Sequence, residues 1–199
     1  LSRQFAEWVV GLKYEDLPMA VVDRAKGLTL HAFSSALVGR GFPDAEQALR
    51  MMQEEEGGGG AATVVVDGAK MTKAGAALVN SEMMFAGGKW DTFRMLTHPG
   101  CAIIPSTLVS AELEGASGRE YITGLVAGYE IMERMAADFI PTVMSRGFHP
   151  GPVFGIFGAA MSAAKITGLD AEQVHGTIAQ CVNLASGNVE GARSGGKSL

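Results

Sequence analysis

The sequence predicts a mainly α, multi-helix globular domain with one small β-hairpin, with residues 1–199 forming a single unit. Three observations lead there. Apolar residues recur three and four apart over most of the chain, the repeat of a helix with one buried face. Glycines, prolines and Ser or Asp caps punctuate those runs. Only one short stretch alternates in the two-residue rhythm of a strand. At this length the chain can build one sizeable core, with consecutive helices packed antiparallel.

Phe5, Trp8, Val9 and Leu12 place a short amphipathic helix over 2–12. Asp16 can cap the next helix, with Pro18 in its first turn, where a missing N–H does no harm. Val21, Val22, Ala25, Leu28, Ala32, Phe33 and Ala36 mark a long buried face ending near Gly39. His31, inside that run, reads as a packed or partly exposed helix histidine. Pro43 and Asp44 open a surface helix over 43–55. Residues 57–60 are all glycine and read as a flexible loop, since neither a helix start nor a lysine follows closely. Residues 63–66 alternate weakly into Asp67-Gly68, the signal of a two-residue hairpin turn. Residues 73–86, rich in Ala and Met, return to helix, and another helix is expected from Pro105 to about 114. Ser117-Gly118-Arg119-Glu120 is a capping box that opens a long helix to about Asp138. Over 151–167, Gly151, Gly155, Gly158, Ala159 and Ala163 fall three or four apart, which suits a helix buried on several sides. Asp170 caps the last helix, 171–186, and residues 187–199 read as loop.

The chain is 47% hydrophobic and 19% charged, with a net charge of −5. Without a basic block, nucleic acid is not an expected partner. The two cysteines, Cys101 and Cys181, form no CxxC, which fits a reducing compartment and argues against an iron–sulfur cluster. Charges and Trp8 interrupt the first eleven residues, so no secretory signal is read there. The longest apolar run, 150–164, is shorter than the roughly 20 residues of a membrane span. A soluble cytoplasmic protein is expected.

Polar chemistry concentrates between residues 80 and 105. Lys89, Asp91, Thr92, Arg94 and His98 fall within ten residues, between Gly87-Gly88 and Pro99-Gly100. A second His-Pro pair follows at His149-Pro150, and Lys197 sits in a glycine-rich tail. A residue before proline is biased towards extended backbone, so both histidines mark helix boundaries. Together they could supply an acid and a base; each alone reads equally as a capping or solvent-facing histidine. Lys89, Arg94, Arg146 and Lys197 suit a substrate with more than one carboxylate, although Lys89 and Arg94 read equally as surface cations. Asp91 and Thr92 could orient a histidine or bind a substrate oxygen, and Asp91 could equally cap a helix. No HxxxH or HExxH spacing occurs, so no metal is expected. Gly191 to Ser198 fits GxxxxGK[ST], but that motif works only after a buried strand, and residues 183–190 contain no apolar run. Nucleotide binding is therefore not expected. His98, His149 and Lys197 are expected to meet in one pocket.

The run Asn80…Asp91-Thr92…Thr97-His98-Pro99-Gly100…Ile104-Pro105 resembles the signature loop of the MmgE/PrpD family of dehydratases, decarboxylases and epimerases. Further segments agree in order and spacing: Asp16-Leu17-Pro18, Ser117-Gly118, Gly128-Tyr129-Glu130, Arg146-Gly147-Phe148-His149-Pro150 and Gly168-Leu169-Asp170. The resemblance implies a helical domain paired with a smaller α/β lid domain that this chain lacks. It further implies a chain incomplete at its C-terminus, a cytosolic homodimer, and chemistry without metal or cofactor. Thr92, His98, His149 and Lys197 match positions that the family uses around its substrate. The family pattern HAxDxDDTH is only partly kept. Phe85, Gly88, Trp90, Asp91, Thr92 and Phe93 occupy those places, so the acid expected at Gly88 is missing and Lys89 is an added cation.

The expected function is a cofactor-independent lyase, a dehydratase or decarboxylase, acting on a small di- or tricarboxylic acid by proton abstraction next to a carboxylate. His98, His149 and Lys197 would be catalytic, and Thr92, Asp91, Lys89 and Arg146 would bind substrate. An epimerase with the same site, or a catalytically degenerate subunit, are the alternatives.

Overall fold

A computed structural model describes residues 1–193. The helices are α1 (Ser2–Gly11), α2 (Met19–Gly39), α3 (Pro43–Glu56), α4 (Lys73–Ala86), α5 (Gly100–Glu114), α6 (Gly118–Ala136), α7 (Ile140–Ser145), α8 (Pro150–Ile166), α9 (Ala171–Leu184) and the short α10 (Glu190–Arg193). One antiparallel pair, β1 (Ala62–Thr63) with β2 (Lys70–Met71), interrupts them. The mainly α architecture with a small hairpin is as expected. No helix among the described residues is long and apolar enough to cross a membrane.

The core is a stack built on α5, α6 and α8. Met132 of α6, Ile103 and Ile104 of α5 and Met161 of α8 are all fully buried between them. Small residues set this spacing: a Cβ on Gly128 of α6 would stand 2.6 Å from the Gly158 carbonyl of α8. In α8 itself, a Cβ on Gly158 would stand 2.5 Å from Ile103 Cδ1 of α5 and 3.0 Å from Met132 Cβ of α6, so that position has no room for a larger side chain. On one side of the stack α4 packs between α5 and α2; on the other, α9 holds α1. Capping boxes at Ser117 and Asp170 start α6 and α9, each with the reciprocal backbone and side-chain bonds that the sequence signals.

Four local readings are corrected by tertiary contacts. The helix expected from Pro105 begins at Gly100, with Pro105 inside it. Proline removes the N–H that would bond the Cys101 carbonyl, and Ser81 Oγ of α4 donates to that carbonyl instead, at 2.6 Å. The hairpin pairs Ala62 with Met71 and Thr63 with Lys70, so its loop is longer than two residues. Buried Asn80 pins it, accepting from Val65 N–H at 2.8 Å and donating to the Thr63 carbonyl at 3.0 Å. Helix α7 lies where no separate element was read, and residues 190–193 of the presumed loop are helical.

Candidate functional site

The loop between α4 and α5 is a compact, strained turn. Phe93 N–H bonds the Thr97 carbonyl at 2.9 Å, and within that closure Arg94 and Leu96 both adopt φ of +52°. Left-handed backbone in a non-glycine residue costs on the order of 1–3 kcal/mol, so the surroundings must hold this loop. Two anchors do so. Phe85, at the end of α4, stacks on Trp90 with centroids 4.9 Å apart, and Trp90 Nε1 donates to the Phe85 carbonyl at 2.7 Å. Trp90 in turn packs against the His98 ring, 4.6 Å between centroids.

The second anchor is Asp91. Both carboxylate oxygens accept from Gly100 N–H at 3.0 Å, capping the N-terminus of α5, and Oδ2 also accepts from the Tyr129 hydroxyl of α6 at 2.6 Å. Gly100 must be glycine, since a Cβ there would stand 2.8 Å from Asp91 Oδ1 and from the Tyr129 oxygen. Burial, and then the adjacent Asp91 charge, push the Tyr129 phenol well above its ordinary range. The Asp91 carbonyl lies 3.0 Å from His98 Nδ1, with Thr92 Oγ1 at 3.3 Å from the same nitrogen.

His149 is buried at the N-cap of α8, where its Nδ1 accepts from Gly151 N–H at 3.0 Å. Its own N–H donates to the Gly187 carbonyl at 3.0 Å, and Val189 N–H donates to the Gly147 carbonyl at 2.8 Å. The chain leaving α9 is therefore laid along residues 147–149, with a single bridge between Phe148 and Asn188. The two histidine turns adjoin at Gly151: a Cβ there would stand 2.8 Å from His149 Cε1 and 3.7 Å from the Leu96 carbonyl.

Thr92, Lys89 and Arg146 are exposed, and neither cation forms an ion pair among the described residues. Arg146 ends α7, three residues before His149. Arg94 lies over the Phe93 ring at 5.7 Å. Lys197 and most of the GxxxxGK[ST] run lie outside the described residues. No cluster of three or more His, Cys, Asp or Glu among the described residues stands close enough to hold a metal ion.

A cleft of about 1050 Å³ opens beside the loop, between α2 and α6, and is lined by His31, Trp90, Asp91, Thr92, Tyr129 and Glu133 among others. Burial, and then the charges of Glu130 and Asp91, raise the Glu133 carboxyl from 4.5 to about 7. Its charged form is thus disfavoured by folding. The stability it allows is present below pH 4.5 and is lost as the pH rises through about 7. Glu133→Gln should raise the melting temperature, by an amount that grows between these pH values and levels off above them. Melting curves across that range test this, and a gain independent of pH would refute it. Tyr129 and Glu133 were not singled out from the sequence as site residues. Their signal was an i, i+4 polar pair that follows the apolar and small residues 124–128 of the same helix.

The family model described as the MmgE/PrpD N-terminal domain matches residues 3–199. The chain is 28% identical over 197 residues to a cis-aconitate decarboxylase-like protein, oryM, of Aspergillus oryzae, covering 94% of this chain and 40% of that protein. It is 25% identical over 194 residues to the cis-aconitate decarboxylase of Aspergillus terreus, covering 94% and 39%. It is 23% identical over 208 residues to that of Mus musculus, covering 100% and 42%. The chain thus spans about 40% of the length of these relatives. With the strained loop, its two histidine turns and a family match over almost all of its length, the chain belongs to the MmgE/PrpD family.

Proposed function

We propose that this chain supplies the helical half of a lyase that acts on a small di- or tricarboxylic acid by moving a proton next to a carboxylate. The observation that carries this reading is the meeting of the His98 and His149 turns at Gly151, with the exposed cations Lys89 and Arg146 on the same two segments. Removing a proton beside a carboxylate places charge on its oxygens, and cations and N–H donors aimed there lower the barrier. Lys197 belongs to the reading as a further cation through its match to a position that the family uses around its substrate. The relatives that share this domain are named as cis-aconitate decarboxylases, which makes a polycarboxylate the natural substrate class.

A second reading, an epimerase, is favoured by Gly88. There φ is +67°, a conformation that suits glycine, where the family signature carries an acid. A site short of one acid can still remove and return a proton without expelling a group. The test is incubation of the intact protein with cis-aconitate, citrate, 2-methylcitrate and iminodisuccinate in deuterated water. Release of carbon dioxide or water supports the lyase. Deuterium entry with inversion and no loss of a group supports the epimerase. No change in any of these by a folded, intact protein would sink both readings and leave a degenerate subunit.

A further inference from the structure

The loop over residues 87–99 leaves α4 and enters α5, so both of those helices are continuous with it. Tyr129 is not: it stands within α6, 38 residues beyond Asp91, and its hydroxyl donates to Asp91 Oδ2 at 2.6 Å. A hydrogen bond to a carboxylate is roughly twice as strong as one between neutral groups. Burial, and then the adjacent Asp91 charge, keep the phenol protonated, so it remains a donor. A second tie to a helix outside the loop, from Lys89 N–H to Ser35 Oγ of α2, is longer at 3.4 Å.

What the Tyr129 bond steadies is a turn under strain. Arg94 and Leu96 are both left-handed, with φ of +52°, inside the closure made by Phe93 N–H on the Thr97 carbonyl. Left to itself such backbone relaxes, and it persists only where its surroundings over-determine it. Asp91 stands at the head of that closure. Its carboxylate reaches across to Gly100 N–H, and its main-chain carbonyl faces His98 Nδ1 at 3.0 Å. Thr92 follows it in the chain, and the Leu96 carbonyl is the loop atom that adjoins Gly151 beside the His149 turn. A shift of Asp91 is therefore passed on to Thr92, to His98 and to the junction of the two turns.

We propose that Tyr129 is a positioning residue of this site: by holding the Asp91 carboxylate it fixes the strained loop against the turn that carries His149. Its consequence for turnover rests on the lyase reading above, and its consequence for the loop does not. The hydroxyl is committed to Asp91, so Tyr129 moves no proton to or from a substrate and acts through the loop alone.

The first arm of the test needs no turnover. In intact protein, amide hydrogen exchange followed by NMR reads the Phe93 N–H that closes the turn. In Tyr129→Phe that amide should exchange roughly tenfold faster or more, the equilibrium counterpart of losing one hydrogen bond to a charged group. Tyr121→Phe is the control, since it removes another phenol of α6, bonded to Thr29 Oγ1 at 2.9 Å and remote in sequence from the loop. It should leave Phe93 exchange unchanged even where it lowers the melting temperature as much. The second arm uses cis-aconitate and 2-methylcitrate as probes. A displacement of about 1 Å far from the chemistry can cost roughly 10²-fold, so kcat of Tyr129→Phe should fall by up to that factor. Tyr121→Phe should keep its kcat. Tyr129→Phe placed in an Asp91→Ala background should add no further loss, because the residue through which it acts is already gone. Equal Phe93 exchange in the two tyrosine variants, or additive losses of kcat in the double variant, would overturn the proposal. If wild-type protein turns over neither probe, the lyase reading fails and the exchange arm alone decides whether Tyr129 holds the loop.

Discussion

His98→Ala should lower kcat by roughly 10²–10⁴-fold with little change in KM, the loss typical of a positioned group that transfers a proton in the transition state. His98 makes no contribution to the fold that could produce such a number by accident. Its ring is half-buried, packs on Trp90 at 4.6 Å and spends one nitrogen on the Asp91 carbonyl. Removing those contacts costs about 1–3 kcal/mol in stability, from the aromatic pair and one hydrogen bond. Asp91, by contrast, remains bound to Tyr129 and Gly100, so the loop keeps its second anchor. Because the lost interaction exists only when the proton moves, kcat and kcat/KM should fall together. Steady-state kinetics on a substrate turned over in the panel, with a melting curve for the same sample, separate the outcomes. A rise in KM alone would make His98 a substrate ligand, and near-normal kcat would remove it from the chemistry.

What could be read from the sequence divides along physical lines. Helices α6 and α9 announce themselves through a Ser117 or Asp170 cap followed by periodic apolar residues, and α4 through its Ala- and Met-rich run; all three lie where expected. The start of α5 is not local. Pro105 looks like a first turn, and the contacts that support an earlier start, Ser81 on the Cys101 carbonyl and Asp91 on Gly100 N–H, come from outside α5. Helix α7 is a single short stretch carrying its own proline and has too few residues to display a period. At the site, His98 and His149 were visible because proline follows each one. Their different hydrogen-bond partners were not visible, because these are one carbonyl and one amide placed by the loop and by α8. Asp91 was read as either a ligand or a cap, and its oxygens are engaged by Gly100 N–H and by Tyr129. Tyr129 lies 38 residues away on α6, at a separation that no local pattern reports.

Gly39→Ala should destabilise the protein by about 3 kcal/mol, the upper end of ordinary overpacking, although alanine is the better helix former. Gly39 ends α2 where it crosses α4. A Cβ there would stand 1.8 Å from the Met83 carbonyl oxygen, 2.8 Å from Gly87 N and 2.9 Å from the Met83 carbonyl carbon. All three are backbone atoms, so no side chain can rotate away and the helices must separate. The crossing is tight from both sides, since a Cβ on Gly87 would stand 2.0 Å from the Ser35 carbonyl, and Ser35 Oγ donates to the Met84 carbonyl at 2.7 Å. Gly27 on the same helix provides the opposite sign. A Cβ there meets nothing within 4 Å, so Gly27→Ala should stabilise by about 0.5–1 kcal/mol through backbone entropy. The consequence reaches the site, because α4 ends in Phe85 and Gly87, which carry Trp90 and through it His98. Displacing α4 should therefore also lower kcat, while Gly27, which lines the cleft between α2 and α6, serves as the control for stability alone. Chemical denaturation and kinetics of both variants check the pair. The same sign of stability change in both would mean that the α2–α4 crossing yields, and that the loop holding His98 is not fixed by it.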